Sequence, residues 1–304
     1  MKKIKNALAA HTGFHGIKYV IITPVRDEVR YIEETIASVT RQTVLPFQWI
    51  IVDDGSTDGT SEILDSHAAR TSWINVIHRG DRGRRVAGGG VIEAFYDGYS
   101  VLSDQSWDFI VKLDGDLSFA PDYFEQCYKI FEAEQTLGIG GGTVCQLENG
   151  QLRVDSVGDP PFHVRGATKI YRRACWEKIN PLIKAPGWDT VDEVKANLHG
   201  WTTRTFNDLK LIQLKPTGGA DGSWRNWFKN GRANYITGYH PVFMLLKCAK
   251  RALHKPILLR SIALLAGFCS GYILRIPQGP DDEVIQYLRR QQILRLLLQS
   301  SIYG

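Results

Sequence analysis

The sequence predicts an α/β fold: a doubly wound, mostly parallel sheet flanked by helices, followed by a C-terminal helical region of different character. Three observations carry this. Short apolar, β-branched runs alternate with stretches of helical spacing, the pattern of βαβ units. Three of these runs end in polar clusters, at the strand ends where ligands meet such sheets. Near residue 230 the chain turns basic and rich in Leu and Ile.

The elements follow in order. Tyr19-Val20-Ile21-Ile22 reads as a buried strand, ended by Thr23-Pro24. Ile32, Ile36 and Val39 share one helical face. Residues 47–52 form the next strand and run into Asp53-Asp54-Gly55-Ser56-Thr57-Asp58. A helix over 61–69, a strand over 73–77 and a helix over 91–102 come next. A fourth strand, 107–113, ends in Asp114-Gly115-Asp116. Thr168 to Arg173 alternates as a strand does.

The 304 residues, 43% hydrophobic and 23% charged, exclude a collagen-like or largely disordered chain and suffice for one large domain plus an appendage. Five Cys without regular spacing, and no Cys-x-x-Cys, argue against a disulfide framework and structural zinc; a reducing cytosol is the default. No long apolar segment follows the basic start Met1-Lys2-Lys3, so no signal peptide is expected. A P-loop is absent, and Gly88-Gly89-Gly90 carries no dinucleotide fingerprint.

The polar clusters suggest the chemistry. Doubled carboxylates at Asp53-Asp54, beside a flexible glycine, can accept hydrogen bonds from a nucleobase or ribose. Helix capping by Ser56 or Asp58 is the alternative; it suits Asp58 and leaves the doubled Asp unexplained. Asp114 and Asp116, one small residue apart, can face a hard cation such as Mg²⁺ or Mn²⁺, which leaves positions for substrate phosphates. Arg82, Arg84 and Arg85 are candidates for phosphate or base oxygens, or a solvated basic loop.

In combination, Ile-Ile-Thr-Pro-Val-Arg-Asp-Glu (21–28), Val-Asp-Asp-Gly-Ser-Thr-Asp-Gly-Thr (52–60) and Lys-Leu-Asp-Gly-Asp (112–116) resemble the family 2 glycosyltransferases, over roughly residues 18–230. The resemblance implies a GT-A fold, a nucleotide-diphosphate sugar donor, a divalent metal (Mn²⁺ or Mg²⁺) and inversion at the anomeric carbon. It implies that Thr23, Pro24, Arg26 and Glu28 line the nucleotide pocket, that Asp54 reads the base, and that Asp53 supports the turn. Arg85, and less directly Arg84, would approach the base or diphosphate. Asp114, with Gly115 beside it, would sit by the ribose and sugar, and Asp116, with Asp114, would hold the metal. Where members often carry Asn before the Glu of the first motif, this chain has Asp27.

An inverting transfer needs a general base to take the proton of the acceptor hydroxyl. The segment 187–196 resembles the family's acidic base motif and offers Asp189, Asp192 and Glu193. Asp189 is the first choice and Asp192 the second; favourable charge near a helix N-terminus is the alternative for Asp192. Gly140-Gly141-Gly142 suits close backbone approach to donor or acceptor, or a sheet bulge. His163 is an acceptor contact or a loop histidine. The segment 224–232 mixes Trp with Arg, as a sugar-diphosphate site or an interface would.

Residues 1–17 are read as an extension, 18–230 as the catalytic domain and 231–304 as a helical appendage. That appendage holds 10 Lys/Arg against only Asp281, Asp282 and Glu283. Residues 257–274 are apolar apart from Arg260, borderline for a membrane span, with Ala263, Gly267 and Gly271 forming a face suited to helix packing in lipid. Residues 283–298 make a second helix. Both are expected on or partly in an anionic membrane surface, at the cytoplasmic face; a pair docked on the catalytic domain is the alternative. The composite expectation is a glycosyltransferase of cell-surface polysaccharide or glycolipid assembly, with a lipid-linked or saccharide acceptor and no nucleic-acid partner. A sugar nucleotidyltransferase or a non-catalytic binding scaffold are the alternatives.

Overall fold

The computed structural model describes residues 16–81, 88–102, 106–148, 150–155, 158–215, 222–252 and 258–304. Arg82, Arg84 and Arg85, most of the N-terminal extension and Ile257 lie outside the described residues. The strands are β1 (Tyr19–Val25), β2 (Gln48–Asp53), β3 (Ile74–His78), β4 (Phe109–Leu113), β5 (Leu117–Phe119), β6 (Leu137–Glu148), β7 (Gln151–Val154), β8 (Thr168–Arg172) and β9 (Thr202–Gln213). The helices are α1 (Ile32–Thr40), α2 (Thr60–Ala68), α3 (Gly89–Ser100), α4 (Tyr123–Ala133), α5 (Arg173–Ile179), α6 (Trp188–Leu198), α7 (Gly222–Ile236), α8 (Pro241–Ala252), α9 (Leu259–Ile273) and α10 (Asp282–Leu296).

All nine strands form one sheet in the order β3-β2-β1-β4-β8-β6-β9-β5, with β7 on β6. The β3-β2-β1-β4 half is parallel, as the βαβ pattern requires. The second half corrects the expectation of a mostly parallel sheet. β8 is antiparallel to both β4 and β6, and β5 is antiparallel to β9.

The sheet also curls. In a flat sheet four strand spacings, about 19 Å, would separate β4 from β5. Only residues 114–116 join them, and four extended residue steps reach at most about 14 Å. The end of the sheet must therefore bend back, which brings the end of β9 over the Asp114–Asp116 turn.

Strand alternation sorts side chains onto two faces. Tyr19, Ile21, Trp49 and Ile51 pack with Ile32 and Ile36 of α1 and Phe124 and Tyr128 of α4. Val20, Ile22, Ile50 and Val52 pack with Phe95 of α3 and Trp176 of α5. The glycines of β6 serve this packing: a Cβ on Gly140, Gly141 or Gly142 would lie 2.4 Å from Phe206, the Thr168 carbonyl or the Leu209 carbonyl. The β6–β9 register shifts between Gly142 and Thr143, a sheet irregularity of the kind foreseen as a bulge.

A third core joins Val191 and Val194 of α6 to Tyr235, Met244, Leu264, Phe268, Val284 and Leu288 of the C-terminal helices. The boundary expected at residue 230 falls inside α7. Among the described residues no helix is long and apolar enough to cross a membrane. The small-residue face of α9 meets α7 rather than another helix in lipid. A Cβ on Gly267 would lie 2.0 Å from the Phe228 carbonyl, and one on Gly271 2.1 Å from the Tyr235 ring.

Candidate active site

A cleft of about 400 Å³ opens at the carboxyl ends of β1 and β4. Pro24, Arg26, Glu28, Asp114, Gly115, Asp116 and Asp189 all line it. A larger depression of about 510 Å³ lies near the starts of β2 and β3 and is lined by no charged side chain, so the chemistry belongs to the first.

The floor comes from β1 and β4. Glu28 is buried; its Oε1 accepts from Lys215 Nζ at 2.7 Å. Arg26 donates to the Asp54 carbonyl at 2.9 Å and to Asp81 at 2.7 Å. Thr23 does not face the cleft. Strand alternation places it with Tyr19 and Ile21, and its hydroxyl accepts the Trp49 indole N–H at 2.9 Å. Asp27 holds a left-handed φ of 54° and accepts the Thr57 N–H; Asp and Asn are the non-glycine residues that tolerate this conformation best.

The Asp53-Asp54-Gly55 turn divides its labour. Asp53 is buried and accepts from the Ser56 N–H, the Ser61 hydroxyl and His78. Burial raises its pKa, but these hydrogen bonds outweigh burial and leave it lowered. It therefore fixes the turn. Asp54 pairs with Arg79 at 2.8 Å and adjoins the cleft through Arg26 instead of lining it. Gly55 is required twice: φ is +74°, and a Cβ would lie 2.6 Å from the Asp81 Cα. Asp58 accepts the Thr60 N–H and hydroxyl just ahead of α2, but the N-cap of that helix is Gly59 with no side-chain cap, so Asp58 braces the turn and is not the cap expected.

Asp114 and Asp116 face the cleft from the β4–β5 turn. Asp114 pairs with Lys112, a buried lysine that also donates to the Gly166 carbonyl at 2.6 Å and lies over the Trp188 ring. Asp116 accepts from Gln213 at 3.2 Å. Burial, with the nearby charges of Asp114 and Glu28, pushes its carboxyl up to about 7. The two carboxylates offer oxygen ligands of the kind that suits a hard cation. Among the described residues no three His, Cys, Asp or Glu side chains form a complete metal cage. Asp116 and Asp114 would thus supply part of a coordination shell and leave the rest to phosphate or water oxygens.

The far wall is α6 and the loop before β8. The two candidate bases separate clearly here. Asp189, in the first turn of α6, opens on the cleft next to Gly166, and among the described residues no group donates a hydrogen bond to its carboxylate. Asp192 turns into the protein and is fully buried. It accepts from Lys169 Nζ at 2.7 and 2.9 Å, the Tyr171 hydroxyl at 2.6 Å and the Glu193 N–H at 2.7 Å. Burial and the Glu193 charge raise its carboxyl to about 7. Glu193 meets Lys169 at 2.7 Å, His163 at 2.9 Å and the Val164 N–H at 2.7 Å. Burial opposes charge on His163, but Glu193 outweighs it and lifts the imidazole to about 9. Lys169 also donates to the Asp189 carbonyl. One buried network thus ties β8, the 163–167 loop and the helix that presents Asp189.

The residues that sequence reasoning missed are Lys112, Arg165, Gln213 and Lys215 on the cleft and Lys169 beneath it. A signal existed for Lys112, a lone cation in an otherwise apolar strand. The segment 224–232 lies in α7 and lines no part of the cleft.

Residues 20–180, more than half of the chain, match the profile of "Glycosyl transferase family 2". The chain belongs to glycosyl transferase family 2. Among curated relatives, Glycosyltransferase GlyG of Streptococcus pneumoniae is 27% identical over 109 residues, covering 36% of this chain and 33% of that protein. The undecaprenyl-phosphate mannosyltransferase of Micrococcus luteus is 29% identical over 120 residues, covering 40% of this chain and 45% of that protein. The matches thus span less than half the length of these relatives. Mannosyltransferase PcManGT of Pyrobaculum calidifontis, solved with GDP-Man and Mn²⁺, superposes with a TM-score of 0.53 at 15% identity, over 92% of this chain and 80% of that one. At that identity the likeness establishes the fold, including the curled mixed sheet flanked by helices.

Proposed function

We propose that this family 2 member transfers a sugar from a nucleoside-diphosphate donor to an acceptor hydroxyl with inversion. The observation that carries the reading is the single cleft shared by Asp189 and the Asp114–Asp116 pair. In the reaction the acceptor oxygen bonds to the anomeric carbon as the bond to the diphosphate oxygen breaks. Asp189 takes the hydroxyl proton. Arg26, Arg165 and Lys215 line the same cleft and set positive charge beside the departing diphosphate. A Mn²⁺ or Mg²⁺ held by Asp116 and Asp114, when bound, supplies further charge neutralisation there. Lys112 and Lys169 flank the Trp188 ring at 5.5 and 5.4 Å and fix the wall that presents Asp189.

The acceptor is a lipid-linked or saccharide hydroxyl of cell-surface assembly, reached at an anionic membrane surface on the cytoplasmic side. The undecaprenyl-phosphate specificity of one relative and the basic C-terminal region support this.

The test is product analysis with a panel of UDP, GDP and dTDP sugars and Mn²⁺. Release of free nucleoside diphosphate and an anomerically inverted product is expected; pyrophosphate would identify a nucleotidyltransferase instead. Asp189→Asn should abolish transfer and keep nucleotide binding. Near-normal turnover in that variant would reject Asp189 as the base.

A further inference from the structure

The C-terminal helices bury one side against each other and the third core, and leave the other side open. In α10, the face formed by Val284, Ile285 and Leu288 is buried. α8 behaves differently. Met244 and Cys248 turn inward, while Val242, Leu245 and Leu246 are 48%, 53% and 50% exposed. α9 repeats the division: Ala263, Leu264, Gly267 and Phe268 are buried, whereas Leu259 and Ile262, with Leu258 just ahead, are 47%, 53% and 54% exposed.

The last turn of α8 and the first turn of α9 lie together. Arg251, near the end of α8, and Arg260, in the first turn of α9, both lie over the Trp227 ring of α7, at 5.0 and 5.9 Å. Exposed Lys250 adjoins Arg251, and exposed Trp224 lies one turn before Trp227. The sequences of α7, α8 and α9 contain no Asp or Glu at all.

We infer that the open face of α8, with the start of α9, is the surface by which the chain docks on an anionic bilayer. The inference deepens the membrane reading proposed above and moves the contact away from α10, whose apolar face is already covered. Large aliphatics, unopposed cations and Trp at their margin form the set that enters a charged lipid–water boundary. The helices lie along the surface, since α9, at 15 residues, is about 22 Å long and too short to cross the hydrocarbon layer. A second copy of the chain fits the patch poorly, because it would set Lys250, Arg251 and Arg260 against their own kind.

The experiment is cosedimentation of the full chain with phosphatidylcholine vesicles, with and without phosphatidylglycerol. Binding is expected to the anionic vesicles and to fall about tenfold on neutral ones. The pairs Leu245→Glu/Ile262→Glu and Arg251→Glu/Arg260→Glu should each weaken binding at least about tenfold, with the nucleotide-induced thermal shift retained as proof of folding. Leu297→Glu/Leu298→Glu, beyond α10, should leave it unchanged. Failure of the wild-type chain to bind anionic vesicles overturns the assignment. So does loss of binding only in the Leu297/Leu298 pair, or a dimer that the α8–α9 variants dissociate. Failed vesicle binding with intact sugar transfer rejects the docking surface alone. Vesicle binding without transfer rejects the enzymatic reading and leaves the surface standing.

Discussion

Lys169→Met tests whether the network under α6 is a set of real charges. Lys169, Asp192 and Glu193 side chains are all 0% exposed, and the ammonium lies 2.7 Å from each carboxylate. With His163 protonated, two cations balance two anions. Methionine fills much the same space and leaves a buried net charge of about −1, so the expected loss is about 3–5 kcal/mol. An exposed pair such as Arg153–Glu148 is worth less than about 1 kcal/mol, and Arg153→Met serves as the control. In a chain of this size the Lys169 change lowers Tm by on the order of 10 °C. Asp192 adds a sign to the prediction. Burial raises its folded carboxyl to about 7 even with Lys169 beside it, and loss of that cation raises it further, so in the variant the carboxyl takes up a proton as pH falls and regains neutrality. Denaturant unfolding followed by tryptophan fluorescence should show a smaller loss near about pH 5 than near about pH 8. A loss below about 1 kcal/mol, or one equal at both pH values, refutes the charged network.

Other outcomes follow from the same geometry. The folded pKa of His163, about 9, exceeds its ordinary 6.5. Its stabilisation is therefore complete below about pH 6.5 and lost as pH rises toward about 9, on the order of 3 kcal/mol at most. His163→Gln should flatten that slope in a stability–pH profile. Gly115→Ala places a Cβ 2.6 Å from Val25 and 3.2 Å from Ile32, both buried. The overpacking should cost about 1–3 kcal/mol by denaturant titration and displace Asp114 and Asp116, reducing Mn²⁺-dependent nucleotide binding measured by calorimetry.

The parallel half of the sheet was legible because a strand buried on both faces must be an apolar run, as in Ile50-Ile51-Val52 and Ile110-Val111. The carboxylates at the ends of β2 and β4 were legible because ligands of such sheets gather there. The second half was not. β6 contains Gly138 and Gly140 to Gly142, whose meaning depends on Phe206 and Thr168 standing against them. Lys169 alternates in sequence as a solvent-facing residue does, yet α6 covers it, and only the carboxylates of Asp192 and Glu193 make that burial tolerable. Thr23 was placed by its motif, whereas the two-residue period of β1 turns it into the core. In the tail, the spacing of Ala263, Gly267 and Gly271 reads as packing in lipid; the face instead meets α7 of the same chain, which is a tertiary fact. α8 went unread because its apolar residues divide between the core (Met244, Cys248) and the surface (Val242, Leu245, Leu246), a division set by the helices packed against it.

The central claim is that one cleft, at the carboxyl ends of β1 and β4, takes a cation-bridged nucleoside diphosphate. Crystals of the chain soaked with Mn²⁺ and UDP or GDP test it most directly. The anomalous signal of the metal should fall against the Asp116 carboxylate, with the diphosphate between it and Arg26 and the Asp189 carboxylate open to the same space. Nucleotide and metal bound at another surface, with Asp114 and Asp116 untouched, would contradict the account.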